Sequence, residues 1–565
     1  MDYFIKAIVL SLKEVTNLPE DEIAGFIEIP PDIKMGDYAF PCYSLSKTLK
    51  KSPAIIATEL LSIIRPATPV REVKALGPYL NFFIDKAIFS ENISKKIFEE
   101  KDRYGCNDIG TGKTIVVDYS SPNIAKHLAV HHLRSALIGS GIYNIYKTLG
   151  YKCIGINHLG DWGTQFGQLI VAYKKWGKEN AHTTYTVTDL NNLYVKFHQE
   201  AEKNPGLEGE AREWFKKLEA GDAEARELWQ HFKDISLKEF QKIYDMLGIH
   251  FDAFTGESFY NTLVEDTVNR IREKGLTRIS EEALIIDLEP YNMPPCLLRK
   301  KDDATLYATR DIAAAEYRKK TYNFERMIYV VGSEQKLHFR QVFKALELMG
   351  YDWVNHCVHV DFGLMKFKEG KMSTRKGNVV LLEDLLAEAV ERIRKIIEEK
   401  NPSLENKETV AHEVGVGAVI FANLSTKRNK DVVFDWDTVL NFDGETGPYV
   451  QYTHARLCSI LRKYGKPVTT GIHYELLKED ETVVLVKILS QFPLIILRAS
   501  EAYEPSLISN YLIDICSSLN RFYNAHRVLS DDVLLTKARI LLIDATRQVI
   551  KNGLNILGIC APERM

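Results

Sequence analysis

The stretch IVVDYSSPNIAKHLAVHHLRSALIG, which runs from Ile115 to Gly139, decides the fold class of this chain. It opens with β-branched apolar residues that are typical of a buried strand, and these lead into a short polar turn. The segment after the turn has helical spacing. Its apolar stripe consists of Leu133, Leu137, Ile142 and Ile145. Strand, polar turn and helix in this order predict the phosphate-accepting end of a nucleotide-binding α/β unit, where free N–H groups at a helix N-terminus face an anion.

The composition is that of a globular protein with several domains, since 565 residues exceed the usual size of one domain. No apolar run approaches the roughly 20 residues that a membrane-spanning helix needs, and the charged N-terminal segment is not a secretory signal. A net charge of −3 argues against a polycation, but local basic surface can still bind nucleic acid. The eight cysteines show no metal-ligand spacing, so we expect reduced thiols in a cytoplasmic protein without a tightly bound metal.

Sequence patterns divide the chain into three predicted domains. Residues 1–105 have helical patterns at both ends and short strand-like segments between them, which indicates an α+β domain. Residues 106–380 contain the nucleotide-binding unit and a charged helical stretch near 188–250, which we expect to be inserted between strands. Residues 381–565 are predicted to be helical almost throughout. The chain is therefore expected to be an α/β protein with a Rossmann-type core and one further domain at each end.

A second polar loop, Lys371-Met-Ser-Thr-Arg-Lys-Gly-Asn378, holds three cations and lies between strand-like and helical segments. A mobile cationic loop suits charge that develops only in a transition state, as when pyrophosphate leaves ATP. Taken alone, the loop would be explained better as a solvated surface segment. Considered together with the lysine and histidines between the first strand and its helix (Lys126, His127, His131 and His132), the loop indicates ATP chemistry.

Further motifs carry a resemblance that spans nearly the whole chain. They are GDYAFP, GPYLNFF, SSPNIAK…HLRS, NHLGDWGTQFG, TLYATRDIAAA, VVGSEQKLHFRQV, KMSTRKGN, FDGETGPYVQYTHAR and the terminal APERM. With these motifs the chain resembles the arginyl-tRNA synthetases, a family of class I aminoacyl-tRNA synthetases. The resemblance implies a Rossmann-type catalytic core, an N-terminal tRNA-binding domain and a C-terminal helical anticodon-binding bundle. It also implies ATP-dependent ligation of L-arginine to tRNA(Arg) through an arginyl-adenylate, in protein synthesis, with Mg²⁺ accompanying ATP as a substrate.

The arginine pocket is expected to contain carboxylates, because a guanidinium has five donors and no acceptor. Tyr307 and Asp311 are one turn apart, so they share a helix face, and in the family the matching residues hold the arginine side chain. From spacing alone, Asp311 could equally pair with Arg310 or cap a helix, while Arg310 itself is expected to be a surface or tRNA-facing charge. The resemblance implies four further arginine contacts: Asp118, Ser121, Asn123 and Gln335. The family often has Glu at the position of Asp118, and the residue that matches Asn123 fixes the α-amino group.

The resemblance also implies the catalytic and ATP-binding residues. The implied catalytic residues are His132, Lys371, Ser373 and Lys376, and the implied ATP contacts are Lys126, His132 and Met372.

The start of the first helix departs from the class signature. Where the family has His-x-Gly-His after NIAKPF, this chain has Ala129-Val130-His131-His132 after NIAKHL. Ala129 cannot stabilise charge on the reacting phosphate, and the His131 imidazole is expected to crowd the adenine. His127 lies two residues early and is expected to point elsewhere. Two functions stay open: an active arginine–tRNA ligase, or a catalytically impaired paralogue that acts as a tRNA-binding protein.

Aromatic residues are the candidate tRNA contacts, since exposed bases stack on aromatic side chains. Tyr79 and Asn81 occupy alternate positions of a predicted strand and share one face, which we expect to meet tRNA through one stacking ring and one hydrogen-bonding amide, although both could be edge residues of a core strand. Tyr449 and Met565 match family positions near the anticodon loop, and Tyr523 is a further candidate; such tyrosines are equally often helix-packing residues. The expected partners are tRNA(Arg), L-arginine and ATP, and the protein is expected to be a monomer that does not bind membranes.

Overall fold

The computed structural model describes residues 3–30, 33–177, 185–299, 307–368 and 380–565. The chain divides into two compact units, each assembled from separated stretches of sequence. The first unit comprises Met1–Tyr104, Leu457–Phe492 and Asp514–Ile550, and the second comprises Gly105–Arg456, Pro493–Ile513 and Lys551–Met565.

The N-terminal part of the first unit is an α+β arrangement, as its sequence pattern predicts. Its elements are α1 (Tyr3–Thr16), α2 (Glu20–Phe26), β1 (Tyr38–Pro41), α3 (Tyr43–Leu49), α4 (Pro53–Ile63), β2 (Val70–Leu76), β3 (Tyr79–Ile84) and α5 (Lys86–Glu100). The three strands form an antiparallel sheet with β3 in the middle. Asp85 starts α5, because its carboxylate accepts hydrogen bonds from the free N–H groups of Ala87 and Ile88.

The second unit begins with the predicted strand, turn and helix. The first elements are β4 (Thr114–Asp118), α6 (Val130–Thr148), β5 (Lys152–Ile156) and α7 (Thr164–Trp176). The run from Ile115 to Val117 is fully buried, as a strand covered on both faces of a parallel sheet requires. The apolar stripe of α6 is buried as well, which fixes the helix against the sheet.

A largely helical insertion follows β5, as the sequence predicts. It comprises α8 (Val187–Lys203), α9 (Gly206–Ala220), α10 (Ala223–Leu247), α11 (Glu257–Asn261), α12 (Val264–Glu273), β6 (Thr277–Ser280), β7 (Ala283–Ile286), β8 (Cys296–Arg299) and α13 (Tyr307–Tyr322). The three strands form a separate antiparallel sheet. The long helix α10 is well delimited: Asp222 caps its start, and Gly248 ends it with a φ of +65°, a left-handed conformation that glycine adopts readily.

The chain returns to the main sheet with β9 (Arg326–Gly332), α14 (Lys336–Leu348) and β10 (Cys357–Phe362). The strand order is β10-β9-β4-β5, and all neighbours are parallel. This is the predicted Rossmann-type core. Because the strands are parallel, the loops after β4, β5 and β9 emerge at the same edge, which is where ligands of α/β sheets bind.

The rest of the chain is almost entirely helical, as predicted. Its elements are β11 (Met365–Phe367), α15 (Leu382–Lys400), α16 (Lys407–Leu424), β12 (Val432–Phe434), α17 (Trp436–Val439), α18 (Gly447–Tyr464), α19 (Asp480–Ser490), α20 (Phe492–Ala502), α21 (Ser506–Ala525) and α22 (Val533–Ile556). The sequence patterns do not predict the parallel pair β11–β12, because three residues are too few to show a strand period.

Within the described ranges, no single helix is long and apolar enough to cross a membrane, although two consecutive helices, α19 and α20, satisfy length and composition when taken together. None of the eight cysteines, which all lie within these ranges, forms a disulfide bond.

Candidate active site

The polar turn after β4 has an unusual backbone that neighbouring side chains hold in place. Ser120, Ser121 and Ala125 have φ values of +72°, +50° and +61°, a region that is strained for residues other than glycine and is common at functional sites. The N–H of Ser120 donates to the hydroxyl of Ser135 on α6 at 2.9 Å. The N–H of Ala125 donates to the hydroxyl of Ser236 on α10 at 2.8 Å. The turn is thus fixed in one conformation at the ligand edge of the sheet.

The first turn of α6 presents one neutral histidine. Nδ1 of His132 lies 3.1 Å from the nitrogen and 3.2 Å from the oxygen of Ala129. Burial, with a smaller contribution from His131, lowers the pKa of His132 to about 4, so the ring is uncharged at neutral pH. Because Nδ1 is engaged by the backbone, Nε2 is the atom left for a ligand. The ring of His131 lies beside it, with centroids 4.0 Å apart, and is exposed.

The segment from Val380 to Leu382 pairs with the residues at the start of α6. The N–H of Val130 donates to the oxygen of Val380 at 3.2 Å, and the N–H of Leu382 donates to the oxygen of Leu128 at 2.9 Å. In this short antiparallel pairing, Leu381 lies opposite Ala129. The loop residues predicted for catalysis and ATP binding lie outside the described residues: Lys371, Met372, Ser373 and Lys376.

Asp311 is partly accessible and has a histidine partner. Its Oδ2 lies 2.6 Å from Nε2 of His338 on α14, and 23% of its side chain is exposed. Burial acts to raise the pKa of Asp311, but the hydrogen bond and charge of His338, together with His158 and Arg318, outweigh burial and bring the pKa below its usual value. Asp311 therefore carries a negative charge at neutral pH. Tyr307, one turn earlier on α13, is 63% exposed.

Arg310 is a correction to the sequence prediction. It is only 8% exposed, so it is not a surface charge, and Asp311 pairs with His338 rather than with Arg310. The guanidinium of Arg310 lies 5.4 Å from the ring of Tyr307 and 3.9 Å from the carboxylate of Glu257.

Asp118 already has two partners within the chain. Its Oδ2 lies 2.8 Å from Nη1 of Arg318, which is 1% exposed, and its Oδ1 accepts a hydrogen bond from Ser121 at 3.1 Å. Arg318 also contacts Nδ1 of His158 at 3.2 Å. Sequence spacing gave no signal for this pair, because Arg318 lies 200 residues further along the chain. Arg318 and His158 both interact electrostatically with Asp118 and Asp311, so all four groups belong to one charged cluster.

The remaining predicted residues around the turn are accessible. Asn123 is exposed, and its backbone forms a parallel bridge with Gly160. Gly160 leaves room for the Asn123 side chain, because an added Cβ at Gly160 would lie 2.0 Å from it. Lys126 is exposed, and its ammonium lies 5.6 Å from the ring centre of Tyr194 on α8. Gln335 is exposed in the short turn between β9 and α14. These residues surround the same edge of the sheet.

The N-terminal candidates differ in accessibility. Tyr79 is half-buried and packs edge-on against the exposed Tyr43, with ring centres 5.9 Å apart. Asn81 is only 3% exposed, so its amide does not share an accessible surface with Tyr79. The expectation that both are accessible on one face is therefore wrong. The two residues differ in their position along β3: Tyr79 is the first residue of the strand, whereas Asn81 lies further in, paired with Ala39 on β1 and Lys74 on β2.

The C-terminal candidates include one residue that sequence reasoning missed. Met565 and Tyr452 line a cavity of about 400 Å³ together with Phe442, Lys400 and Asn401. Tyr452 is 44% exposed and lies three residues after the half-buried Tyr449 on α18, so the GPYVQY spacing could have indicated it. Tyr523 is exposed on α21, in the first unit.

Comparisons with known proteins agree with this architecture. Three family models match: tRNA synthetases class I (R), catalytic domain, at residues 94–436; the DALR anticodon binding domain at 450–565; and the arginyl tRNA synthetase N terminal domain at 2–84.

Similar full-length proteins were also found. Curated arginine–tRNA ligases from Clostridium botulinum (strain Alaska E43) and Halothermothrix orenii are 52% and 50% identical, with complete coverage of both chains. The arginyl-tRNA synthetase structure from Thermus thermophilus has a TM-score of 0.82 at 27% identity, covering 100% of this chain and 99% of that one. The Plasmodium falciparum structure has a TM-score of 0.83 at 24% identity, covering both chains completely, and supports the fold. The chain belongs to the arginyl-tRNA synthetase family of class I tRNA synthetases.

Proposed function

We propose that this chain is an arginine–tRNA ligase that joins L-arginine to tRNA(Arg) with ATP, through an arginyl-adenylate. The observation that carries the proposal is the ionised Asp311, oriented by His338 and one helical turn from the exposed Tyr307. A carboxylate and an aromatic ring on one helix face fit a planar cation with five donors. Identity of 50–52% to arginine–tRNA ligases over the full length supports the same activity.

In the first step, a carboxylate oxygen of arginine attacks the α-phosphorus of ATP, a new P–O bond forms, and pyrophosphate leaves. Asp311 and Tyr307 hold the guanidinium, and Asn123 holds the α-amino group. Gln335 and the Asp118–Ser121 pair complete the pocket. In the second step, a ribose hydroxyl of the terminal tRNA nucleotide attacks the arginyl carbonyl carbon, and AMP leaves. The protein's main work is therefore to position three substrates and to stabilise phosphate charge.

Phosphate charge is stabilised at the start of α6. The free N–H groups of a helix N-terminus favour an anion. The neutral His132 contacts Ala129 through Nδ1 alone, so we assign its Nε2 to the phosphate. Lys126 adds a positive charge from the turn. Lys371, Ser373 and Lys376 act from the second loop, with Met372 against the nucleotide, and Mg²⁺ arrives with the phosphates of ATP.

The outer domains bind tRNA(Arg). Residues 1–105 contact it through Tyr79, residues 106–380 carry the chemistry, and residues 381–565 bind the anticodon. The cavity beside Met565 and Tyr452 supports this last role, since an exposed aromatic ring is a stacking platform for an unpaired base. The protein acts as a monomer in the cytoplasm, a reducing compartment that suits its eight cysteines, none of which is in a disulfide bond.

The test is charging of tRNA(Arg) with labelled arginine by the full chain, alongside direct measurement of tRNA(Arg) binding. We expect arginyl-tRNA and one AMP per arginine transferred. Binding of tRNA(Arg) without charging would instead identify the impaired, tRNA-binding paralogue that Ala129 and His131 leave open.

A further inference from the structure

Helix α10 of the insertion contacts the nucleotide-binding region along one face. Five side chains spaced three to five residues apart make these contacts: Trp229, Lys233, Ser236, Glu239 and Tyr244. The first two bind Asp161 in the loop after β5, at 2.8 Å to its backbone oxygen and 2.7 Å to its carboxylate. The other three bind the turn after β4. An inserted helix thus holds both loops at the ligand edge of the core sheet.

The contact of Glu239 is with His127, which two inserted helices hold. Nδ1 of His127 lies 2.9 Å from the Glu239 carboxylate on α10, and Nε2 lies 3.2 Å from the Thr188 hydroxyl on α8. Both ring nitrogens are therefore engaged, and only about a fifth of each ionic side chain is exposed. The imidazole of His127 is thus bonded to two inserted helices.

The residue before His127 is Lys126, the cation of the turn that we assign to ATP. Its side chain is exposed and also leans on α8, with its ammonium 5.6 Å from the ring centre of Tyr194. Ala125, the residue before it, has a strained positive φ and is bonded to Ser236. The three consecutive residues Ala125, Lys126 and His127 therefore all contact the insertion. Among the described residues, Lys126 has no ion-pair partner that would fix the direction of its ammonium group.

We propose that His127, through Thr188 and Glu239, holds the turn that carries Lys126 in its ATP-binding arrangement and is thus a positioning residue for arginine activation. The proposal rests on the proposed function. A proline at this position, as in the NIAKPF pattern, has no side-chain donor, so the chain's own His127 adds a link between the turn and the inserted helices. Its effect falls mainly on ATP, because Lys126 is adjacent to His127 in the turn, whereas Asp311 and Tyr307, which we assign to the arginine guanidinium, lie on α13.

The link depends on the charge of His127. The hydrogen bond to Glu239 raises the pKa of His127, burial opposes this, and Glu383 and Asp384 at the start of α15 add to the rise. Lys126 is the neighbouring cation on the turn itself. A histidine with a raised pKa contributes its pairing fully below its ordinary pKa and loses it as the pH rises through the shifted value. We therefore expect the KM for ATP to increase toward alkaline pH.

The experiment is pyrophosphate exchange by the full chain in the presence of tRNA(Arg), with ATP and arginine varied separately. His127→Ala is expected to raise the KM for ATP roughly tenfold or more, as displacement of a positioned group does, with a much smaller change in the KM for arginine. His127→Gln retains hydrogen bonding without titrating, so it should restore much of the affinity and remove the pH dependence. Glu239→Gln should remove the pH dependence while the helix contacts remain.

His473→Ala is the matched control, because His473 is an exposed histidine paired with Glu475 in the other unit. Its kinetics should equal those of the parent. An active parent whose KM for ATP and pH profile are unchanged by His127→Ala would overturn this proposal alone. A rise in the KM values for both ATP and arginine, with a lower melting temperature in all three variants, would also overturn it, because His127 would then only stabilise the fold. A parent that does not charge tRNA(Arg) would overturn the proposed function instead.

Discussion

Nε2 of His338 lies 2.6 Å from Oδ2 of Asp311, and this contact joins the first turn of α14 to the first turn of α13. One oxygen of the carboxylate is thereby committed to the protein, while Oδ1 is left for a substrate. Together with His158 and Arg318, the histidine also keeps Asp311 ionised against the effect of burial. A carboxylate that is both charged and oriented before arginine arrives is what selective binding of a guanidinium requires.

Replacing the carboxylate should therefore weaken arginine binding. We expect Asp311→Ala to cost about 2–5 kcal/mol, the usual loss when a buried charge pair is broken. The measurement is the KM for arginine in charging, together with tRNA(Arg) affinity, which should stay near that of the parent. Asp287→Ala is the control, since Asp287 pairs with the exposed Arg278 away from the cluster. Unchanged arginine kinetics in Asp311→Ala would locate the pocket elsewhere.

Removing the histidine should change the pH dependence of arginine binding. In the parent, the lowered pKa of Asp311 keeps the carboxylate charged until the solution is distinctly acidic, and binding is lost as the pH falls through that pKa. In His338→Ala, the largest of the interactions that oppose burial is lost and only those of His158 and Arg318 remain, so the pKa rises and the acid limb of kcat/KM for arginine should move toward neutral pH. A pH profile identical to that of the parent would show that His338 does not control the charge of Asp311.

Much of this architecture is predictable from the sequence, because the relevant signals are local. The strand, turn and helix around Asp118, the inserted helices and the helical C-terminal part all follow from periodicity. The partners of the charged residues do not. Arg318 and His338 reach their carboxylates from distant points of the chain, and periodicity says nothing about such contacts. Strand alternation likewise puts Tyr79 and Asn81 on one face without saying how far that face is covered.

The half-buried Tyr79 is the remaining N-terminal candidate for contacting tRNA. We expect Tyr79→Ala to weaken tRNA(Arg) binding while changing the free energy of unfolding by no more than about 1 kcal/mol, as for most partly exposed positions. Filter binding and thermal unfolding measure the two effects. Asn81→Ala is the opposite case, since its side chain is buried: it should lower stability and leave tRNA affinity per folded molecule intact. Loss of stability alone in Tyr79→Ala would assign Tyr79 to the core.

Tyr452 should contribute to anticodon binding. Removing a ring on which a base stacks costs about 1–3 kcal/mol, so Tyr452→Ala should lower the affinity for tRNA(Arg) about five- to a hundredfold, with the KM for arginine unchanged. Tyr291→Ala serves as control, because Tyr291 has nearly the same exposure, at 42% against 44%, and lies outside the helical C-terminal part. Equal tRNA affinity in both variants would remove the cavity beside Met565 from the anticodon site.

The altered helix start gives the last prediction. Ala129 offers the reacting phosphate no side-chain donor, and the exposed ring of His131 lies beside His132 where the class signature has glycine. Because loss of one preorganised donor commonly lowers a rate by roughly 10²–10³, we expect Ala129→His combined with His131→Gly to raise the rate of arginylation by a comparable factor. The KM for arginine should stay constant, because Asp311 and Tyr307 are untouched. His131→Gly alone should lower the KM for ATP, which separates crowding of the adenine from the missing donor. Efficient charging by the parent, with a double variant that is neutral or slower, would show that His132 and the N-terminus of α6 suffice for phosphate stabilisation in this chain.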